Sequence, residues 1–232
     1  MTASNPMSIA IDGPAGAGKS TVSKLVALRL GLQYVDTGAM YRGVALAALR
    51  RGVNPDDETQ LSAIADNMEF SFKVERPSEN DLVIRVFTDG EEVTKEIRAP
   101  ECGNMASRVS AVSGVRRALV AQQKQMGAAG GVVMEGRDIG SVVMPGAPVK
   151  IFLTASAEER ARRRTLELEQ KGTPQPFEQV LAEIRDRDHR DSTRADSPLK
   201  PAPDSVTVTT DGMSIPQVVD EIVRIAESKM PK

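Results

Sequence analysis

The string AIDGPAGAGKST at residues 10–21 constrains this chain more than any other part of it. It begins within a short apolar strand, Ile9 to Ile11, and fits GxxxxGK[ST] at every fixed position from Gly13 to Ser20. The glycines allow backbone turns whose N–H groups point inward around a chain of phosphates, while the helix that follows offers its positive N-terminus. Apolar residues recur at helical spacing after the loop. The string therefore predicts a phosphate-binding loop between a strand and a helix.

Each residue type in this loop has an expected role toward a nucleoside triphosphate. Lys19 is expected to reach the β and γ phosphates, and Ser20 to supply a hydroxyl ligand to the accompanying Mg²⁺. The predicted triphosphate-binding residues are Gly13, Pro14, Ala15, Gly16, Ala17, Gly18, Lys19, Ser20 and Thr21. The loop alone does not say whether the triphosphate is a phosphoryl donor, a switch or a fuel.

Length and composition limit the architecture. The chain has 232 residues, of which 40% are apolar, which is enough for one sizeable α/β core with small appended pieces. No apolar run approaches the ~20 residues that cross a bilayer, and the N-terminus lacks a basic segment followed by an apolar core, so a cytoplasmic protein without a membrane partner is expected. The single Cys102 fits a reducing compartment.

The charged residues are unevenly distributed. The net charge is −2, but arginines concentrate in residues 160–164 and 185–194. A uniformly basic chain would favour nucleic acid, whereas local arginine clusters on a near-neutral chain favour a focused site for small anions. Small anionic substrates, and no nucleic acid, are therefore expected.

The order of strand and helix patterns predicts the fold class. Five apolar strands begin near residues 9, 33, 132, 149 and 206 and alternate with helices, which indicates a doubly wound parallel sheet with right-handed crossovers. From residue 68 the apolar period becomes alternating and predicts a three-stranded antiparallel insertion, whose third strand extends to Ile97. Asn54 and Pro55 are expected to begin a helix, and Ser156 with Glu159 to form a capping box.

Three classes of protein use such a phosphate loop. A GTPase switch would need DxxG and NKxD-type strings, and neither occurs in this chain. A motor or transport ATPase would be expected to carry a metal-side carboxylate pair at a strand end and a partner domain, and neither is evident. The remaining class transfers the γ phosphoryl to a small acceptor, and it must neutralise two polyanions and exclude water. Arginines from several elements meet that need: Arg42, Arg116, Arg137, Arg160 to Arg164, and RDHRDSTR at residues 187–194.

The chain resembles the bacterial cytidylate kinases, within the nucleoside monophosphate kinases, over nearly its whole length. The strings that carry the resemblance are IDGPAGAGKST, DTGAMYR, the β insertion after Met68, GVRRAL, EGRDIG, VKIFLTAS, EERARRR and RDHRDSTR. The insertion matters most, because adenylate and guanylate kinases lack this three-stranded piece. The resemblance implies ATP as phosphoryl donor, Mg²⁺, CMP or dCMP as acceptor, and a monomer.

The resemblance also implies roles for individual residues. Asp138 would meet the cytosine amino group with Arg116 among the base contacts, Arg137 would grip the acceptor phosphate, and Arg187 with Asp191 would lie near the sugar. The implied acceptor-binding set is Asp36, Thr37, Gly38, Arg42, Arg116, Gly136, Arg137, Asp138, Arg187, Asp191 and Arg194. The implied catalytic set is Lys19, Arg137, Arg160, Arg163 and Arg164.

These assignments predict one kinase unit with three parts. The first seven residues are expected to form a short disordered lead. The expected division of residues 1–232 is a core of 7–36, 99–155 and 195–230, a monophosphate-binding region of 37–98 with its β insertion at 68–98, and a lid of 156–176 followed by a helix at 177–194.

Other interpretations of the same residues stay open at this point. The lid arginines also suit a solvated helix surface with Glu158, Glu159 and Glu167 as partners. The residues at 187, 191 and 194 have the i, i+4, i+7 spacing of one helical face, so a surface ion-pair ladder explains them too, and Asp138 at a strand end suits a cap for the next turn. A kinase for UMP or another monophosphate, and a nucleotide-binding regulator that transfers nothing, remain as alternative functions.

Overall fold

The computed structural model describes residues 7–78 and 81–229, so the expected disordered lead lies outside the described residues except for Met7. The element bounds are β1 (Ile9–Asp12), α1 (Lys19–Leu30), β2 (Gln33–Asp36), α2 (Thr37–Arg50), α3 (Glu58–Asp66), β3 (Phe70–Ser78), β4 (Asp81–Thr88), β5 (Glu91–Glu92), α4 (Pro100–Val109), α5 (Ser113–Gly127), β6 (Val132–Gly136), β7 (Val149–Thr154), α6 (Ala157–Gln170), α7 (Phe177–Thr193), β8 (Val206–Thr209) and α8 (Ile215–Ser228).

The larger sheet confirms the predicted parallel architecture. Its five strands are ordered β2-β6-β1-β7-β8, and β1 pairs in parallel with β6 on one side and with β7 on the other. Asp36 at the end of β2 is opposite Glu135 in β6, and Asp12 at the end of β1 is opposite Gly136. The carboxyl ends of three strands therefore bring acidic residues to one edge of the sheet, beside the phosphate loop.

Both faces of this sheet are buried, which explains why its strands read as continuous apolar runs. Ile9 and Ile11 of β1 belong to the larger core cluster together with Val133 of β6. Ala10 faces the other way and packs with Met134 in a second cluster. Alternate residues of the same strand thus fill two cores, one on each side of the sheet.

The antiparallel insertion is confirmed as a three-stranded sheet, ordered β3-β4-β5. Its third strand is shorter than predicted, because β5 ends at Glu92 and residues 96–98 form a 3₁₀ turn around the buried Ile97. The Val86 amide donates to the Thr94 hydroxyl at 2.9 Å, so a side chain takes the place of a ladder carbonyl. The connection between β3 and β4, at residues 79–80, lies outside the described residues.

The insertion contacts α2 at Gly43, where two elements approach too closely for a side chain. A Cβ on Gly43 would lie 2.6 Å from Cε1 of Phe70 and 3.0 Å from Cγ2 of Thr88. We expect Gly43→Ala to lower the free energy of unfolding by about 1–3 kcal/mol, because the insertion must shift to accommodate the methyl group. Urea denaturation followed by circular dichroism would measure the change.

Gly103 provides the matched control, because it lies inside α4 and a Cβ there would meet no atom within 4 Å. Gly103→Ala should therefore raise stability by about 0.5–1 kcal/mol through helix propensity. Equal stability of the two variants would show that the close approach at Gly43 has no cost.

One predicted helix start needs correction. The helix expected at Asn54 and Pro55 begins at Glu58, because the Asp57 carboxylate accepts from the Gln60 amide at 2.9 Å and forms the cap. Asn54 instead accepts from the amide two residues later at 3.0 Å, which makes the segment a turn.

The capping box expected at α6 is only half formed. The Ser156 hydroxyl accepts from the Glu159 amide at 3.2 Å, as predicted. The Glu159 carboxylate pairs with arginines of its own helix, and the Ser156 amide donates to Asp211. A partner distant in the sequence has thus replaced the local one.

The helices α6 and α7 form a separate layer with a small core of their own. They share one apolar cluster, made by Ala161, Leu168, Val180, Leu181 and Ile184. This layer corresponds to the region expected to act as a lid and the helix after it. Across residues 7–78 and 81–229, no helix combines the length and the apolar character that crossing a bilayer requires.

Candidate active site

The phosphate loop connects β1 to α1, as its sequence predicts. Gly13 has φ 152°, and a Cβ there would lie 1.9 Å from the carbonyl oxygen of Leu153 in β7, so only glycine fits. Gly18 has φ 86° and begins the helix without any side-chain cap, which leaves the first amides of α1 at the loop. The loop therefore presents a helix N-terminus to any anion bound above it.

Lys19 is buried at the start of α1, where only 6% of the residue is exposed. Its Nζ donates to the Pro14 carbonyl at 2.7 Å, across the loop. Burial lowers the pKa of Lys19 to about 7, and the nearby positive charges of Arg137 and Arg187 add to the fall, while Glu135 opposes it. The lysine thus lies among other cations, and the negative charge around it is too small to keep its amine fully protonated.

We expect ATP binding to take up a proton at Lys19, because the phosphate charges raise the pKa that the unliganded site lowers. With a starting pKa of about 7, uptake should approach about one proton at pH 8 and become small at pH 6. Calorimetric titration with ATP in buffers of different ionisation enthalpy would measure it. Lys19→Arg is the control, since a guanidinium stays charged; equal uptake in both proteins would assign the proton elsewhere.

Glu135 is a buried carboxylate beside the loop that the sequence patterns did not single out. It accepts a hydrogen bond from the Tyr34 hydroxyl. Burial raises the pKa of Glu135, the Asp36 carboxylate adds to the rise, and Lys19, Tyr34 and the Ser20 hydroxyl oppose it. In the sequence, Glu135 can be found as a single acidic residue near the end of an apolar strand. A search for two adjacent carboxylates does not find it.

The expected acceptor corner lies at the start of α2, next to Glu135. Asp36 caps the helix by accepting from the Ala39 amide at 3.1 Å, and the Thr37 hydroxyl donates to the Glu135 carbonyl at 2.7 Å. Gly38 lies against Asp36, and Gly136 lies against Thr37, where a Cβ would be 2.7 Å from the Thr37 hydroxyl. The corner is therefore closely packed around its backbone.

A group of arginines converges in front of this edge. Arg137 donates from Nε to Asp191 at 2.9 Å. Burial lowers the pKa of Arg187 to about 10, and the charges of Arg137, Arg42 and Arg190 contribute to this shift, while Asp191 opposes it. The Nε atom of Arg187 is buried and finds no hydrogen-bond partner within the described part of the chain. The cluster is therefore short of negative charge.

The surface-ladder interpretation of residues 187, 191 and 194 is wrong, because Asp191 is only 5% exposed and pairs with Arg137 of another element. The shared helical face is also wrong at Arg194, since α7 ends at Thr193 and Arg194 has an extended backbone. The Ser197 carbonyl accepts from Arg194 Nε at 2.8 Å and holds the side chain toward the site.

A buried ion pair lies on the other side of the arginine cluster. Arg116 of α5 donates to the Asp138 carboxylate at 2.5 Å, and the two side chains are 4% and 6% exposed. Arg116 also donates to the Tyr41 hydroxyl at 3.3 Å, and a terminal nitrogen of Arg194 lies 3.9 Å from Asp138. The interpretation of Asp138 as a cap is wrong, because its side chain makes no bond to the turn that follows.

The three arginines assigned to the lid have different surroundings. Arg160 is buried, donates to the Ala15 carbonyl in the loop at 3.1 Å and pairs with Asp188 through two nitrogens at 3.0 and 2.6 Å. Arg163 donates to the Thr210 carbonyl at 2.7 Å and lies near Gly18. Arg164 is 40% exposed and pairs with Glu167. The structure thus places Arg160 and Arg163 at the loop, and Arg164 apart from them.

This fold and loop define a class, the nucleotide-binding proteins built on a phosphate-binding loop beside a parallel sheet. A gluconokinase from Sinorhizobium meliloti 1021 has this fold, with a TM-score of 0.50 over 97% of this chain and 93% of its own, at 15% identity. The family model for cytidylate kinase matches residues 9–228. This chain therefore belongs to the cytidylate kinase family, as the resemblance implied.

Curated relatives agree with the family and differ in length. The cytidylate kinase of Pelotomaculum thermopropionicum is 52% identical over 215 residues, which cover 93% of each protein. A bifunctional pantoate ligase/cytidylate kinase of Synechococcus sp. strain JA-2-3B'a(2-13) is 49% identical over 217 residues, which cover 94% of this chain and 40% of that protein. The chain thus spans nearly all of one relative and less than half of the other.

Proposed function

We propose that this chain transfers the γ-phosphoryl group of ATP to CMP or dCMP, which gives ADP and the corresponding diphosphate. The observation that carries the proposal is the convergence of buried arginines with unmatched donors near Lys19, at the carboxyl edge of the sheet. Such a cluster is costly in a folded protein unless an anion completes it. Two nucleotides that meet end to end would supply that charge.

The donor nucleotide binds at the phosphate loop. The backbone N–H groups of the loop, which Pro14 lacks, surround its β phosphate. Lys19 moves from the Pro14 carbonyl to the phosphates, because a phosphate oxygen is the stronger acceptor. Arg160 and Arg163 contact the loop from α6 and neutralise the transferred group together with Lys19. Arg164, now paired with Glu167, joins them only if the lid closes further.

The acceptor binds against the arginine cluster. Arg137 and Arg42 grip its phosphate and direct one oxygen toward the γ phosphorus, while Arg187 lies beside them toward the sugar, as the resemblance implies. This positioning is most of what phosphoryl transfer requires of a protein. The base lies at the buried pair, where Asp138 accepts from the cytosine amino group and Arg116 donates to the ring. Asp191 lies at the sugar. Arg194 lies between the phosphate and the base, because its guanidinium is close to the Asp138 carboxylate.

The residues at the loop also suit Mg²⁺. The Ser20 hydroxyl at the N-terminus of α1 and the Glu135 carboxylate beside it are the residues whose oxygen atoms would hold the ion. When bound, the ion would neutralise charge on the β and γ phosphates. Glu135 itself keeps the Tyr34 hydroxyl on one oxygen, which fixes the orientation of the carboxylate toward Ser20.

The proposal includes the setting in which the enzyme works. The near-neutral net charge with local arginine clusters supports small anionic substrates over nucleic acid or membrane surfaces. We take the chain to act as a cytoplasmic monomer whose core holds ATP, whose residues 37–98 hold the acceptor, and whose α6–α7 layer excludes water. Analytical ultracentrifugation with both nucleotides would test the monomer.

ADP formation from ATP and Mg²⁺, with CMP, dCMP, UMP, AMP and GMP as separate acceptors, tests the proposal. CMP and dCMP should give kcat/KM values at least about tenfold above the others, since a hydrogen-bonded base site discriminates strongly. Equal rates, or activity with AMP or GMP alone, would overturn the assignment of the base site. Tight ATP binding with no diphosphate from any acceptor would favour a regulator in place of an enzyme.

A further inference from the structure

Asp12 is a buried carboxylate that none of the roles above uses. It ends β1 immediately before the phosphate loop and is 5% exposed. One carboxylate oxygen accepts from the Ile139 amide at 2.7 Å, and the other accepts from the Gly140 amide at 2.8 Å. Both oxygens are therefore bonded to a segment more than 120 residues away in sequence.

The segment that Asp12 holds is the single helical turn after Asp138, residues 139–143. The first amides of any helical turn have no partner within it, and the side chain of the residue before the turn usually accepts from them. Asp138 occupies that position but makes no such bond, because its carboxylate is turned toward Arg116 and Arg194. Asp12 supplies the missing acceptor from the neighbouring strand.

We infer that Asp12 is a positioning residue for the acceptor: it caps the turn in place of Asp138 and so leaves the Asp138 carboxylate free to contact Arg116 and the acceptor base. The inference rests on the proposed function, because it assigns Asp138 to the base. It also implies that the end of the phosphate-loop strand and the acceptor-binding turn form one rigid unit.

Asp12→Asn in the full chain tests the inference with little change of shape. The amide nitrogen of asparagine is a donor, so one of the two backbone amides would face another donor and lose its bond. We expect KM for CMP to rise about tenfold, the loss of roughly one hydrogen bond to a charged group, while KM for ATP stays within about twofold. Ser141→Ala is the control, because this exposed hydroxyl makes only a long bond of 3.4 Å to the Asp138 carbonyl and takes no part in the cap; both values should stay within about twofold.

A double variant separates positioning from a general structural effect. If Asp12 acts through Asp138, then Asp12→Asn combined with Asp138→Asn should raise KM for CMP no more than Asp138→Asn does alone. Additive losses, or equal rises in KM for CMP and for ATP, would overturn the inference. If Asp12→Asn does not fold, Asp12→Glu retains the carboxylate but displaces it, and a rise of about threefold confined to CMP is expected.

The two proposals fail in different ways. An unaltered chain that phosphorylates neither CMP nor dCMP would overturn the proposed function. An active chain whose Asp12→Asn variant folds and keeps its KM for CMP would overturn the role of Asp12 alone.

Discussion

Lys19→Met should lower kcat/KM for ADP formation by about 10³-fold or more, the largest effect of any single substitution in this chain. The lysine provides a fixed positive charge where negative charge spreads during transfer, and methionine has nearly the same volume without the charge. Initial rates with saturating CMP would measure the loss. Activity within a few-fold of the unaltered chain would contradict the mechanism.

The same substitution should leave the fold intact. Burial lowers the pKa of Lys19, which means that the folded protein binds a proton at this amine less tightly than the unfolded chain does. Removing the charge should therefore keep the unfolding midpoint at or above its original value. Lys24→Met, five residues further along α1, is the matched control and should keep activity within about twofold; its Nζ lies 6.0 Å from the centre of the Tyr34 ring.

The second large effect is expected at the buried pair of Arg116 and Asp138. Asp138→Leu leaves Arg116 and Arg194 buried without their shared carboxylate, and removing one partner of such a pair costs about 3–5 kcal/mol. The double variant with Arg116→Met should be more stable than Asp138→Leu alone, because it also removes an uncompensated charge. Urea denaturation of the three proteins gives the comparison.

An exposed ion pair provides the contrast for that measurement. Arg108 and Asp56 lie 2.7 Å apart with side chains 50% and 78% exposed, so Asp56→Asn should change stability by less than about 1 kcal/mol. If Asp138→Leu lowered the stability as little, the attraction between Arg116 and Asp138 would not be offsetting the cost of burying the two charges. Both Asp138 variants should lose activity toward CMP whatever their stability.

The features that the sequence predicted correctly depend on local patterns. The phosphate loop is read from eight consecutive residues, and the parallel strands from apolar runs bounded by helices. The insertion was found because its alternation of apolar and polar residues has a different period from the helices around it. In each case the residues that determine the structure are neighbours in the chain.

The errors and omissions arise where a distant partner decides the outcome. Thr94 ends β5 through the Val86 amide, and Asp211 takes the Ser156 amide that a capping box would use. Nothing within a few residues of Ser156 announces its contact, which joins residues 55 positions apart. The error at Arg194 is different: spacing alone extended the helical face, although the Ser197 carbonyl, only three residues away, holds that side chain outside the helix.

The burial of each side chain is another property that the sequence patterns could not predict. The spacing of Arg187 and Asp191 suits both an exposed ladder and an interior cluster, and only the packing of α7 against the site separates the two. Glu135 and Asp12 were passed over for the same reason. A single acidic residue at a strand end becomes informative once the neighbouring strand places it beside the loop.

The helix α7 belongs to both halves of the site at once. Its Asp188 holds Arg160 against the phosphate loop, while the adjacent Arg187 and the next turn's Asp191 belong to the proposed acceptor site. A rotation of this helix would therefore alter the proposed contacts to both nucleotides together. Thermodynamic reciprocity then requires that whatever factor ATP imposes on the affinity for CMP, CMP imposes on the affinity for ATP.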